Sequence, residues 1–246
     1  MSEEIDTYKA DMQEARNKLI DDLSKRKFIV FAGAGIPIES GPPITWKELL
    51  ATFKEKESEL AARSIDEVGE NEYPDYAQEI FEELREKGKE SRYYEILREK
   101  LRATNARCSI QQREIIATAQ HVVTTNFDES FKNAIERELE DKENTNIIQS
   151  LLDLKLRALN ADYSVSYLHG STDEKCIVFK TDDYNMFYPS QSENDKGNDN
   201  LEQFLRHLYE ERRIVFIGVS FNDRYLLKAL NIIYNRLKQN DEVGRD

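Results

Sequence analysis

The sequence predicts an α/β fold, a doubly wound parallel sheet with a helical insertion. Three observations carry that prediction. Short runs rich in Val, Ile and Phe recur along the chain with little polar alternation, as in strands buried on both faces. Helical patterns alternate with them, the arrangement that parallel strands require. The first run, Phe28 to Ala32, breaks directly into a tight turn, Gly33-Ala34-Gly35.

Taken in order, apolar side chains at Ile5, Tyr8, Met12, Ala15, Leu19 and Leu23 recur every three or four residues, which predicts a helix within 1–26. A strand follows over 28–32. Pro37, Ser40, Gly41, Pro42 and Pro43 then break the chain, and a helical pattern begins at Trp46 and runs over 46–59. No strand pattern stands out in 57–119. Helices are predicted there over 75–87, 92–102 and 110–119, so this segment reads as a helical insertion, a small domain of its own. Further strands are predicted over 121–125, 165–168, 177–179 and 214–217, and further helices over 128–139, 200–210 and 224–237. The polar stretch 189–200 reads as a loop. Together, 27–56 and 120–246 make one Rossmann-like domain.

The 246 residues carry a formal net charge of −13, with 34% of residues charged and 39% hydrophobic. An acidic surface repels phosphate backbones, so no direct nucleic-acid partner is expected. Lys25, Arg26 and Lys27 read as a solvated basic patch. No stretch is long and apolar enough to span a bilayer, and the acidic start lacks the basic-then-apolar order of a secretion signal. No membrane partner is expected. Cys108 and Cys176 are the two cysteines, too few for a disulfide framework or a four-cysteine zinc site within one chain. The expectation is a cytoplasmic protein with reduced thiols, no zinc module and no metal.

Four clusters carry chemistry. A strand that delivers a glycine turn, as at Gly33-Ala34-Gly35, brings backbone N–H groups against a pyrophosphate in many α/β folds, although it also serves as an ordinary strand-to-helix turn. The run Thr124-Thr125-Asn126-Phe127-Asp128 ends the second strand in hydroxyl, amide and carboxylate groups. Asn126 is placed to bind a ribose hydroxyl or a water, and Asp128 to accept from an amide or to cap the next helix. His169-Gly170 ends a third strand, and a histidine there suits proton transfer near neutral pH. His121 and His207 read as locally packed. Last, Gly218-Val219-Ser220-Phe221-Asn222-Asp223 repeats the strand-to-glycine turn. Ser220, Asn222 or Asp223 could meet a ribose, or Asn222 or Asp223 could simply cap the following helix.

In this order the four clusters resemble the sirtuin (silent information regulator) superfamily. Gly33-Ala34-Gly35 with Ser40-Gly41 looks like its cofactor loop, and Thr125-Asn126-Phe127-Asp128 looks like its Gln-Asn-Ile-Asp-type motif. His169-Gly170 matches its catalytic pair, and Gly218-Val219-Ser220 looks like its late Gly-x-Ser turn. Three departures stand beside these. The four-cysteine zinc module is missing, the Phe-Arg pair after the cofactor loop is absent, and Pro37 stands where serine is common. Ser40-Gly41-Pro42 with Trp46, Phe179-Lys180-Thr181-Asp182-Asp183-Tyr184 and the Gly218–Asp223 stretch look more like bacterial sirtuin-like domains of anti-phage defence systems.

This resemblance implies NAD as substrate, cleaved to nicotinamide and ADP-ribose without a metal. His169 and Asn126 would be catalytic. Gly33, Ala34, Gly35, Ser40, Thr125, Asp128, Gly218, Ser220, Asn222 and Asp223 would bind NAD, with Asp128 at the carboxamide. It further implies a homo-oligomer and an ATPase or sensor partner. An NAD-dependent protein deacylase and a non-catalytic module that binds NAD or ADP-ribose are the alternatives.

Overall fold

A computed structural model describes residues 12–14, 16–18, 20–21, 28–36, 44–61, 63–103, 108–138, 144–154, 159–171, 177–189 and 199–243. Its centre is a five-stranded parallel sheet. The strands are β1 (Phe28–Ala32), β2 (His121–Thr124), β3 (Thr145–Ile148), β4 (Tyr163–Tyr167) and β5 (Arg213–Ile217), in the spatial order β3-β4-β2-β1-β5. The chain passes from β1 to the adjacent β2, goes on to β3 at one edge, steps back to β4 between β3 and β2, and then crosses with β5 to the other side of β1. That is the doubly wound α/β, Rossmann-like arrangement.

The helices are α1 (Trp46–Lys56), α2 (Tyr73–Glu86), α3 (Glu90–Ala103), α4 (Ile110–Ala119), α5 (Ser130–Glu138), α6 (Thr181–Phe187), α7 (Asp199–Glu211) and α8 (Arg224–Val243). Every residue of β1 is buried, and its side chains alternate between two cores. Ile29 and Phe31 pack with Tyr184 and Phe187 of α6, Phe204 of α7 and Leu230 of α8. Phe28, Val30 and Ala32 pack with Ile116 of α4 and Phe131 and Ile135 of α5. Covering both faces removes the need for polar alternation, which is why β1 reads as one apolar run.

A third core belongs to α1, α2 and α3, where Leu50, Phe53, Ile80, Phe81, Tyr93 and Leu97 are buried together. Thr45 starts α1 with a reciprocal cap: its hydroxyl accepts from the Glu48 amide, and its own amide donates to the Glu48 carboxylate. Phe127, Ile177 and Phe179 come from the sheet side to join this core, and Trp46 packs against it. The packing thus groups α1 with α2 and α3, and α4 with the sheet, whereas the sequence pattern bounds the helical insertion at 57 and 119.

Several expected elements differ. The segment 177–179 is buried but forms no strand. Only the Val178 amide reaches back, to the His169 carbonyl at 2.9 Å, while the Phe179 and Lys180 amides both donate to the Asp183 carboxylate. Those bonds turn the segment into the lead-in of α6, a helix the sequence reading lacked. It also lacked β3, an edge strand whose Thr145 and Asn146 break any apolar run. Thr125 falls just outside β2. In the N-terminal stretch, the described residues 12–14, 16–18 and 20–21 are helical and exposed. Ile5, Tyr8, Ala15, Leu19 and Leu23 of the expected stripe lie outside the described residues, as do Cys176 and most of the loop at 189–200.

Candidate active site

Register brings the four clusters to one edge of the sheet. Ala32 of β1 pairs with Thr124 of β2 and with Ile217 of β5, and Thr124 pairs with Tyr167 of β4. The row Tyr167, Thr124, Ala32, Ile217 is therefore the last of the ladder on four adjacent strands. Immediately past it come His169, Asn126, Gly33 and Gly218. Open α/β sheets bind ligands beyond this carboxyl edge.

The turns after β1 and β5 hold each other. The Gly33 amide donates to the Ile217 carbonyl at 2.9 Å, and the Gly35 amide to the Gly218 carbonyl at 2.8 Å. A Cβ on Gly33 would lie 2.5 Å from the Gly218 oxygen, and one on Gly35 would lie 2.8 Å from the Gly218 Cα. Gly218 itself has φ +66, and a Cβ there would lie 2.7 Å from the Ile36 nitrogen. These glycines are needed so that two backbones can touch. The Gly33 and Gly35 amides, expected to face a pyrophosphate, are both engaged in this contact.

Asn126 is buried beside them. The Thr124 hydroxyl donates to the Ala32 carbonyl at 3.0 Å and accepts from the Asn126 amide at 3.1 Å, and Asn126 Nδ2 reaches the Gly33 carbonyl at 3.4 Å. Thr124 rather than Thr125 thus ties β2 to β1. Asp128 is also buried, and its Oδ1 accepts from the Ser130 amide at 3.0 Å at the start of α5. Burial pushes its carboxyl above the ordinary carboxylate value, against the Ser130 hydroxyl and amide.

His169 is 2% exposed. Its ring stands among Phe127, Tyr184 and Tyr188, with centroids 5.6, 5.5 and 6.1 Å away. Nε2 lies 3.2 Å from Asp223 Oδ2 and 3.4 Å from the Tyr184 hydroxyl. The Tyr184 hydroxyl donates to the same Asp223 Oδ2 at 3.2 Å. Asp223 Oδ1 accepts from the Tyr225 and Leu226 amides at 2.9 and 3.0 Å, which caps α8. Burial would raise the Asp223 carboxyl, but His169, the Leu226 amide and Tyr184 outweigh it and hold the group below its ordinary value. His169 Nδ1 is buried, with no hydrogen-bond partner among the described residues. An orphaned buried nitrogen beside a strand end is the feature expected of a group that meets a ligand.

The structure therefore joins His169 to Asp223, Asn126 to Gly33 and Gly35 to Gly218. It does not gather the rest. Ser220 is exposed, and its hydroxyl accepts from the Asn222 amide. Asn222 Nδ2 donates to Glu70 at 2.7 Å, toward the α1–α3 side. Ala34 is exposed on the turn, and Ser40 lies outside the described residues. His121 is packed locally as expected, with Nδ1 3.0 Å from the Ser164 hydroxyl. The sequence reading missed Tyr184 and Tyr188 as neighbours of His169. A signal was present in the spacing of Tyr184 and Tyr188, four residues apart, whose rings both stand beside the histidine.

The SIR2-like domain family model matches residues 120–243, half of the 246-residue chain. The chain belongs to the SIR2-like domain family. The matched SIR2-like stretch holds Asn126, Asp128, His169, Gly218 and Asp223, while the glycine turn after β1 precedes it. Membership ties the chain to NAD, which SIR2-like domains use. No curated protein matches the chain. Among the described residues no helix is long and apolar enough to cross a membrane, and no group of three or more His, Cys, Asp and Glu side chains could hold a metal ion.

Proposed function

We propose that this chain is an NAD glycohydrolase that depletes NAD as an effector of bacterial anti-phage defence. The observation that carries the enzymatic part is His169: buried, backed by Asp223, and left with an unpartnered Nδ1 at the sheet edge that also holds Asn126. NAD supplies a cationic nicotinamide glycoside whose leaving group departs neutral. In the overall reaction the bond between the ribose and the nicotinamide nitrogen breaks and its electron pair leaves with nicotinamide. The oxygen of one water bonds to the ribose carbon, and the water's proton passes to His169 and then to solvent.

The chain's own groups divide the work. His169 takes the proton, and Asn126 holds the nicotinamide ribose or the attacking water. Asp128 meets the carboxamide. The exposed Ala34 backbone, with Thr125 and Ser220, flanks the remainder of the dinucleotide, and Ser40 enters the proposal from the sequence resemblance alone. The two glycine turns fix each other and give this edge a rigid floor. We place the protein in the cytoplasm, with α1–α3 as a small lobe. Assembly into a homo-oligomer, or an ATPase or sensor partner, orders the cofactor pocket and so controls the activity, and full activity of an isolated monomer would remove that control from the proposal.

The test is release of nicotinamide and ADP-ribose from NAD by the purified protein, with His169→Ala beside it. Release by the wild type alone is expected. Equal release by the variant would sink the assignment of His169.

A further inference from the structure

We infer that Asp223, with Tyr184, is the positioning pair that fixes the tautomer of His169, so that the proton sits on Nε2 and Nδ1 is the basic nitrogen. The inference rests on the reading of His169 as the base and goes beyond it, by naming the atom that reacts and the residues that choose it.

The argument is one of proton supply. Asp223 Oδ2 is an acceptor that faces two groups, the Tyr184 hydroxyl at 3.2 Å and His169 Nε2 at 3.2 Å. Tyr184 has a single proton to give, and the carboxylate oxygen is both nearer than Nε2 and the stronger acceptor. Burial and the nearby Asp223 carboxylate also keep that proton on Tyr184. If Nε2 lacked a proton, its lone pair would confront a carboxylate oxygen at 3.2 Å, and an N–H on Nδ1 would be left buried without an acceptor. With the proton on Nε2, both defects vanish: Nε2–H donates to Asp223, and Nδ1 keeps a lone pair for which no hydrogen-bond donor competes among the described residues.

The surroundings hold this arrangement in place. Asp223 is anchored by the Tyr225 and Leu226 amides, and Tyr184 stacks on Tyr225 at 4.3 Å with the rings 14° apart. Phe127 and Tyr188 confine the imidazole from other directions. A base held in one tautomer needs no reorientation before it accepts a proton.

Asp223→Asn separates the positioning role from the cap. Asparagine caps a helix about as well as aspartate, so α8 keeps its start. The amide, however, can present an N–H to Nε2 and force the proton to Nδ1. We expect kcat to fall roughly 100-fold or more with KM nearly unchanged and the melting temperature within a few degrees. Tyr184→Phe should give a smaller fall in the same direction.

A long-range proton–nitrogen correlation spectrum of the whole protein reads the tautomer without any turnover. The chain has three histidines, and His169→Gln identifies the signal. A proton on Nε2 in the wild type, moved or exchanging in Asp223→Asn, is the expected result. A proton on Nδ1 in the wild type overturns the inference, as does a variant with wild-type kcat. If the wild type cleaves no NAD, the glycohydrolase reading fails while the spectrum still decides the tautomer.

Discussion

Gly35 and Gly218 are joined by a backbone hydrogen bond of 2.8 Å, one step beyond the sheet in which β1 and β5 pair. The contact continues the ladder into the two turns, and it leaves no room for a side chain on either.

Substitution at this contact is therefore expected to act on stability first. Gly218→Ala places a Cβ 2.7 Å from the Ile36 nitrogen and forces alanine to φ +66. Strain and overpacking together should cost about 3 kcal/mol. Urea denaturation of Gly218→Ala and of Gly88→Ala makes the comparison. Gly88 also has a positive φ but has open space around its Cβ position, so it should lose only about 1 kcal/mol. Equal losses would remove the steric argument.

Asn126→Ala should separate activity from stability in the opposite sense. Its side-chain bond to the Gly33 carbonyl is long, 3.4 Å, and so contributes little, about 1 kcal/mol or less. NAD cleavage should fall at least 100-fold while the melting temperature moves by only a few degrees. Wild-type nicotinamide release from this variant would remove Asn126 from the chemistry.

Asp75 of α2 ties the helical side of the molecule to the neighbourhood of His169. It accepts from Thr181 at 2.6 Å and pairs with Arg224 at 2.7 Å. Arg224 and Asp75 are both 41% exposed, so the ion pair alone is worth under about 1 kcal/mol. Arg224→Ala should lower stability by less than that, and Asp75→Ala by more, because it also removes the acceptor of the half-buried Thr181 hydroxyl. A double-mutant cycle on chemical denaturation measures the coupling, and a coupling above about 1.5 kcal/mol would contradict this view of the pair.

The pH dependence of stability should carry the mark of His121. Burial, then the Arg212 charge, lowers it from 6.5 to about 4, against Asp162. As pH falls, the unfolded chain takes up this proton first, near 6.5, and the folded chain only near 4. Stability from this group is thus complete above the unfolded value and is lost progressively between the two. The loss from pH 7 to pH 5 should be about 2 kcal/mol at 1.36 kcal/mol per unit. Urea titrations at both values should show it in the wild type and not in His121→Asn.

How much of this was legible in the sequence follows from where each element lies. Both faces of β1 are covered, so its apolar run and glycine turn announced it at once. The edge strand β3 is half covered, and its Thr145 and Asn146 left no pattern to read. The stretch 177–179 looked like a strand because Ile177, Val178 and Phe179 are apolar and buried, yet the Asp183 carboxylate claims two of the local amides. The candidate site was legible as four strand ends, since each carried its own turn chemistry. The partnership of His169 with Asp223 was not, because it joins the end of β4 to the start of α8 through tertiary packing and leaves no local spacing. Likewise Asn222 suited a ribose on paper but reaches Glu70.

The alignment of Tyr167, Thr124, Ala32 and Ile217 across four strands also sets where the chain can change length. One residue added within β1, β2, β4 or β5 would displace the following cluster by about 3.3 Å and turn its side chains to the opposite face. The connections that enter at the far end of the sheet are under no such constraint. The segments that join α1 to α2 and α3 to α4 can grow or shrink without moving Asn126 relative to His169, so lineages and protein engineers alike have their freedom there and almost none inside the strands.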